Sequence, residues 1–223
     1  MSFHKNVFVN CPFDEDYRPL LRPLLFTITY LGFKPRIALE ELDSGTPRIQ
    51  KIVGLIKLSR YAIHDLSRLQ ARKKGEYYRL NMPLELGIDV GCRLFGRRQH
   101  SLKRCLILEE QRYRYQAAMS DLSGSDIAVH GRSPEALSAE VRNWLNSQAH
   151  VQAPGPARVW TAFLEFMSDK YDALKKRGFS DRDVETLPVG ELINCINEWV
   201  CDMRTPPVRG RTNKSARGKR TAS

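Results

Sequence analysis

The residues best equipped for chemistry in this chain follow two apolar runs and one expected helix start. Asn10, Cys11, Phe13 and Asp14 come after Val7-Phe8-Val9, Asp65 and Ser67 after Tyr61-Ala62-Ile63-His64, and Glu85 after Asn81-Met82-Pro83-Leu84. Further acids, Glu40, Glu41, Asp43, Glu109 and Asp121, stand near the ends of other apolar segments. A phosphate cradle alone would want glycine-rich amides and cations. Carboxylates suit sugars: breaking an N-glycosidic bond builds positive charge on the ribosyl carbon, which a fixed carboxylate can stabilise, attack or flank by holding the ribose hydroxyls. Glu85 is the candidate catalytic residue. Phe13 could stack on a base while Asn10 and Asp14 reach its polar edges, with Cys11, Asp65, Ser67 and Asn81 completing the substrate-binding set. Simpler roles compete: Phe13 as a hydrophobic staple, Asp65 bonding loop amides, and Glu85 as a first-turn acid complementing the helix dipole.

Glu85 requires a helix start to present it. Asn81 is predicted to cap that helix, and Pro83 suits its first turn, where a missing N–H is no loss. Leu84, Ile88 and Phe95 recur at helical spacing and predict a buried stripe, with Gly87 and Gly91 letting the helix approach a sheet closely and Glu85 one step off. A capping box would place the acid three residues after the cap, whereas Glu85 is four after Asn81, so capping alone does not account for it. The helix N-terminus is expected to keep Glu85 ionised at neutral pH.

The short apolar runs 6–9, 36–39, 61–64, 104–108 and 126–130 read as strands. Between them, Leu20 to Leu31 keeps a 3.6-residue period until Gly32, residues 48–58 form a second helix, and Ser133-Pro134 opens another with serine as cap and proline at the first position. This alternation predicts an α/β domain over residues 1–148, a doubly wound five-stranded parallel sheet of flavodoxin-like type, whose ligands bind beyond the carboxyl ends of the strands. Residues 149–157 read as a linker. Residues 158–205 form a small C-terminal helical extension, packed either back on the sheet domain or against a second copy.

The formal charge of +11 over 223 residues is concentrated at one end. Residues 206–223 carry six cations and no acid, leaving +5 on the rest, and with almost no apolar residue this basic tail is expected to be disordered. Such tails bind polyanions weakly and in a salt-dependent way, which gives a nucleic-acid-associated role as one alternative. No run approaches the roughly 20 apolar residues of a membrane span, and the first residues lead into a strand without a signal-peptide core, so a cytoplasmic protein is expected. The five dispersed cysteines form no C-x-x-C pair and match no zinc spacing; they read as small buried hydrophobes, and no metal or cofactor is expected. Neither G-x-G-x-x-G nor G-x-x-x-x-G-K-[ST] occurs, which argues against an ordinary dinucleotide fold or nucleoside triphosphatase. A phosphoacceptor receiver would want a hydroxyl residue after the fourth strand and a lysine after the fifth, where Glu109-Glu110 and His130-Gly131 stand.

Three segments together carry a resemblance. Val7-Phe8-Val9-Asn10-Cys11-Pro12-Phe13, Ser59 to Ser67, and Asn81-Met82-Pro83-Leu84-Glu85-Leu86-Gly87 resemble the first strand, third strand and glutamate-bearing helix start of the bacterial TIR-like and nucleoside deoxyribosyltransferase superfamily. The resemblance covers residues 3–148. It implies a hydrolase in which Glu85 acts on the ribosyl group of NAD or another nucleotide, often as an oligomer in antiviral defence. Cys11-Pro12-Phe13 departs from the Ser-Tyr-like start usual in TIR domains and is closer to the transferase-like Gly-Pro-Phe loop. A relative that binds a nucleotide signal without cleaving it, as sensor or scaffold, is the other function the resemblance implies.

Overall fold

The computed structural model describes residues 2–40, 43–68, 79–114, 119–122 and 124–204. The basic loop 72–75, Glu41 and the tail 206–223 lie outside the described residues. Five strands, β1 Asn6–Asn10, β2 Lys34–Ile37, β3 Tyr61–Asp65, β4 Arg104–Glu109 and β5 Ile127–Val129, form one parallel sheet in the order β2-β1-β3-β4-β5. The fold is the expected flavodoxin-like doubly wound α/β arrangement, and all five residues of both β1 and β3 are buried, as strands covered on both faces must be.

Strand alternation assigns the two layers. Val7, Val9 and Ile63 face α1 Arg18–Tyr30 and α4 Pro134–Ala149, while Phe8 and Ala62 face α2 Arg48–Lys57. α3 Asn81–Phe95 covers the α2 side toward β4, with Met82 and Leu86 on Leu66 and Ile107. The Ser133 cap forms as expected: its Oγ accepts from the Ala136 amide at 3.2 Å, with Pro134 opening α4. β2 starts earlier than the sequence suggests and includes Pro35, because an edge strand tolerates a residue that cannot donate.

The extension consists of α5 Pro156–Lys176, the single-turn α6 Asp181–Glu185 and α7 Val189–Arg204. It packs back on the sheet domain as a further layer outside α1. Phe26 of α1 meets Phe166, Phe163 and Trp199 at ring-centroid distances of 5.4, 5.5 and 5.7 Å. That cover explains why α1 buries Phe26 besides its sheet-facing leucines, while Thr27 is buried against Ser138 of α4 at 2.8 Å. Arg142 donates to the carbonyls of Pro154 and Ala153, and Arg22 to those of Val184 and Glu185, fixing the connections. Phe166 is fully buried. Phe166→Ala should therefore cost about 3–5 kcal/mol and lower one cooperative transition in chemical denaturation; a loss below about 1 kcal/mol would mean that the extension is not part of this core.

None of the five cysteines is in a disulfide; Cys11 and Cys195 are buried, Cys92 and Cys105 half-buried, and Cys201 is exposed, so the expectation of buried hydrophobes fails for Cys201 on the outer face of α7. Among the described residues no helix is long and apolar enough to cross a membrane.

Candidate active site

In a sheet of this order, winding reverses between β1 and β3, and the crevice opens beyond their carboxyl ends. Asn10 ends β1 and pairs in register with His64, the residue before Asp65 at the end of β3. The β1 loop carries Cys11, Phe13 and Asp14; Ser67 follows β3; α3 brings Glu85 to the same region.

The seating of α3 is polar. Asn10 Nδ2 donates to the Met82 carbonyl at 2.9 Å and lies 3.0 Å from His64 Nδ1. An amide NH₂ can only donate, so His64 Nδ1 accepts and its Nε2 carries the proton toward Asp89 Oδ2 at 3.3 Å. Lys103, 1% exposed, places Nζ 2.9 Å from Asp89 Oδ1 and 2.8 Å from the Ile56 carbonyl. Met82, Glu85, Leu86 and Asp89 consequently form the inner face of the helix.

This overturns the sequence-based orientation. Leu84 and Phe95 are 56% and 87% exposed, and a Cβ on Gly87 would meet nothing within 4 Å. Leu84 and Phe95 face outward while Ile88, between the two faces, is half-buried against the cluster that holds Phe8 and Ile56, because turning the whole stripe inward would strip Asp89 from His64 and Lys103 inside the protein. Asn81 is not the cap either. Leu80 occupies that position in a helical conformation, with no side-chain capping bond, and Asn81 is the exposed first residue of α3. Pro83 falls third, still within the turn that needs no N–H partner.

Glu85, only 7% exposed, sits one turn beyond the residues that the helix dipole favours. Burial pushes its carboxyl up to about 7, and the charge of Arg48 opposes this only in part. The expected fully ionised state at neutral pH is thus replaced by a carboxyl near its midpoint. Burial, then the charges of Asp65, Glu85 and Asp14, push the Cys11 thiol well up, so Cys11 remains protonated among three acids. Since folded Glu85 holds its proton more tightly than the unfolded chain, its contribution to stability is complete below about 4.5 and is lost as pH rises through about 7. Glu85→Gln should therefore gain stability relative to the unsubstituted chain between pH 5 and pH 8, measured by thermal melts; an unchanged difference would show that Glu85 is not desolvated.

Asp65 is held within the protein. Tyr17 donates to its Oδ2 at 2.5 Å, the Ser67 amide to its Oδ1 at 2.9 Å, and Ser67 Oγ also donates to Oδ1. His130 Nδ1 accepts from the Arg132 amide at 3.1 Å, so Nε2 carries the proton, 3.2 Å from Asp65 Oδ2 and 2.9 Å from Ser67 Oγ. Burial alone would raise the Asp65 pKa; hydrogen bonds from His130, Ser67 and Tyr17 outweigh it and hold the carboxyl below its ordinary value. Glu109, at the end of β4, pairs with Arg114, yet burial dominates and keeps its carboxyl raised.

Phe13 and Asp14 line a cavity of about 400 Å³ whose described lining does not include Glu85. Arg48 lies 5.7 Å over the Phe13 ring, and Asp14 Oδ2 stands 3.1 and 3.2 Å from Arg68 and Arg79. Sequence reasoning missed His64, Asp89, Lys103, Tyr17, His130 and Arg48 as members of this region. A histidine inside an apolar strand was the available signal for the first three. Among the described residues no group of three or more His, Cys, Asp or Glu could hold a metal ion.

Fold and site together define a flavodoxin-like α/β protein with a buried glutamate of raised pKa near the carboxyl ends of β1 and β3. No protein-family model matches the chain, and comparison with curated proteins and with solved structures returned no match.

Proposed function

We propose that this chain is an N-glycosidase that cleaves the ribosyl–base bond of NAD or a related nucleotide, a cytoplasmic effector of bacterial antiphage defence. The supporting observation is Glu85: a carboxyl sheltered from water, held near neutrality and facing the β1 loop. As the C1′–N bond lengthens, its electron pair leaves with the base and positive charge grows at C1′. The Glu85 carboxylate stabilises that charge more strongly than in water, because little solvent screens it. Water then attacks C1′, forming the new C–O bond as its proton passes to the Glu85 carboxylate, and the sugar is released. A nicotinamide leaving group departs neutral from its cationic form, so no second acid is required.

The test is release of free base from NAD and from nucleoside monophosphates by the full chain, at high protein concentration to allow for assembly. Activity in kcat/KM should rise with pH along one ionisation near 7, because the carboxylate is the active form. A profile flat from pH 5.5 to 8.5, or no release from any of these substrates, would overturn the reading. A second reading, nucleotide binding without cleavage, is favoured by the cavity beside Phe13 and Asp14, whose described lining does not include Glu85. It predicts thermal stabilisation by a nucleotide with no base released.

A further inference from the structure

The cavity beside Phe13 is built by two parts of the chain. One wall is the β1 loop, the start of α1 and the turn that follows β2; the other is the α6–α7 connection of the extension. Its volume of about 400 Å³ falls within the roughly 300–1,000 Å³ of small-molecule pockets. Phe13, Leu21, Leu39, Leu187 and Leu192 supply apolar surface suited to a planar ring. Arg18 and Arg22 line the same space; Arg18 is only loosely engaged by the exposed Glu15 at 3.7 Å, and Arg22 is braced on two carbonyls. Of the acids lining it, Asp14 is neutralised by Arg68 and Arg79, and Glu40 by Arg36 at 2.6 Å. Glu185 and Glu191 remain on the extension's side, where carboxylates suit vicinal hydroxyls.

We propose that this cavity is a second small-molecule site, in which a nucleoside phosphate lies between the sheet domain and the extension. Its base meets the apolar walls, its ribose hydroxyls Glu185 and Glu191, and its phosphate Arg18 and Arg22. The site is separate from the Glu85 crevice but adjoins it: Phe13 lines the cavity and carries Arg48, whose charge acts on Glu85. The existence of the site does not depend on the glycosidase reading.

Calorimetric titration of the full chain with adenosine 5′-monophosphate, adenosine and inorganic phosphate tests it. The monophosphate is expected to bind more tightly than either fragment. Leu187→Trp, which fills the cavity, should weaken it at least about tenfold, as should Thr186→Trp at the exposed rim, where folding is not at risk, whereas Glu85→Gln should leave it within about twofold. No binding of the monophosphate, or binding lost in Glu85→Gln but intact in both tryptophan variants, would overturn the proposal. Titrating NAD into Glu85→Gln then identifies the source of the nucleotide. If the tryptophans weaken NAD and the monophosphate alike, the site holds the far half of the substrate; if NAD is unaffected, it holds a separate effector, and both results sustain the site. Failure of the chain to release base from NAD would not alter the monophosphate titrations, so the two readings fall separately.

Discussion

Glu85→Gln is expected to reduce base release from NAD by about 10²–10⁴-fold in kcat/KM, with little change in KM and a melting temperature equal to or above that of the unsubstituted chain at pH 8. Removing one preorganised group aimed at developing charge costs about 10²–10³, and loss of a nucleophile costs more. The amide keeps the shape of the carboxyl but cannot bear the charge that the ribosyl carbon demands. Stability moves the other way, because a carboxylate with little solvent and one opposing cation is costly to keep ionised. Loss of activity together with loss of stability would instead assign Glu85 to the scaffold. Retention of more than about a tenth of the activity would remove it from the chemistry. Steady-state kinetics and thermal melts on the same preparation separate these outcomes.

A loss of stability as large as that from Phe166→Ala is expected from Asp89→Ala, about 3–5 kcal/mol by denaturant unfolding. Truncation leaves the Lys103 ammonium, 1% exposed, with only backbone carbonyls, and leaves the His64 Nε2–H without its acceptor. Breaking one side of a buried ion pair costs far more than replacing both sides with apolar groups. Asp89→Leu combined with Lys103→Met should therefore recover most of the loss, and failure to recover would mean that Lys103 is not the source of the penalty. Burial raises the Asp89 pKa, but the hydrogen bond from His64 and then the Lys103 ammonium hold it below its ordinary value. The stability it contributes is complete above the ordinary aspartate range near 4 and drains away as pH falls below it, so the cost of Asp89→Ala should shrink in acid.

How far the sequence could be read depended on what each element packs against. The strands β1 and β3 and the cap of α4 were legible because each is a local signal: unbroken apolar runs, and Ser133-Pro134 ahead of a periodic stretch. The face of α3 was not. Periodicity assigns a helix face only when the opposing surface is apolar throughout, and α3 lies over strand ends whose buried groups are Asn10, His64 and Lys103. The placement of the extension was undecided for a related reason. An amphipathic face of Val159, Phe163 and Phe166 is complementary to any apolar surface, and only the fold shows that Phe26 completes it.

The sequence by itself determined the order of strands and helices, the class of fold and the rim where acids gather, because alternation and caps act over a few residues. Only the tertiary structure decided that Glu85 is inside, that its carboxyl stands near 7, and that Asn10 and Asp65 are bound within the protein. Those outcomes depend on desolvation and on partners more than forty residues away in the chain, such as Tyr17 for Asp65 and Met82 for Asn10, and no local pattern encodes either.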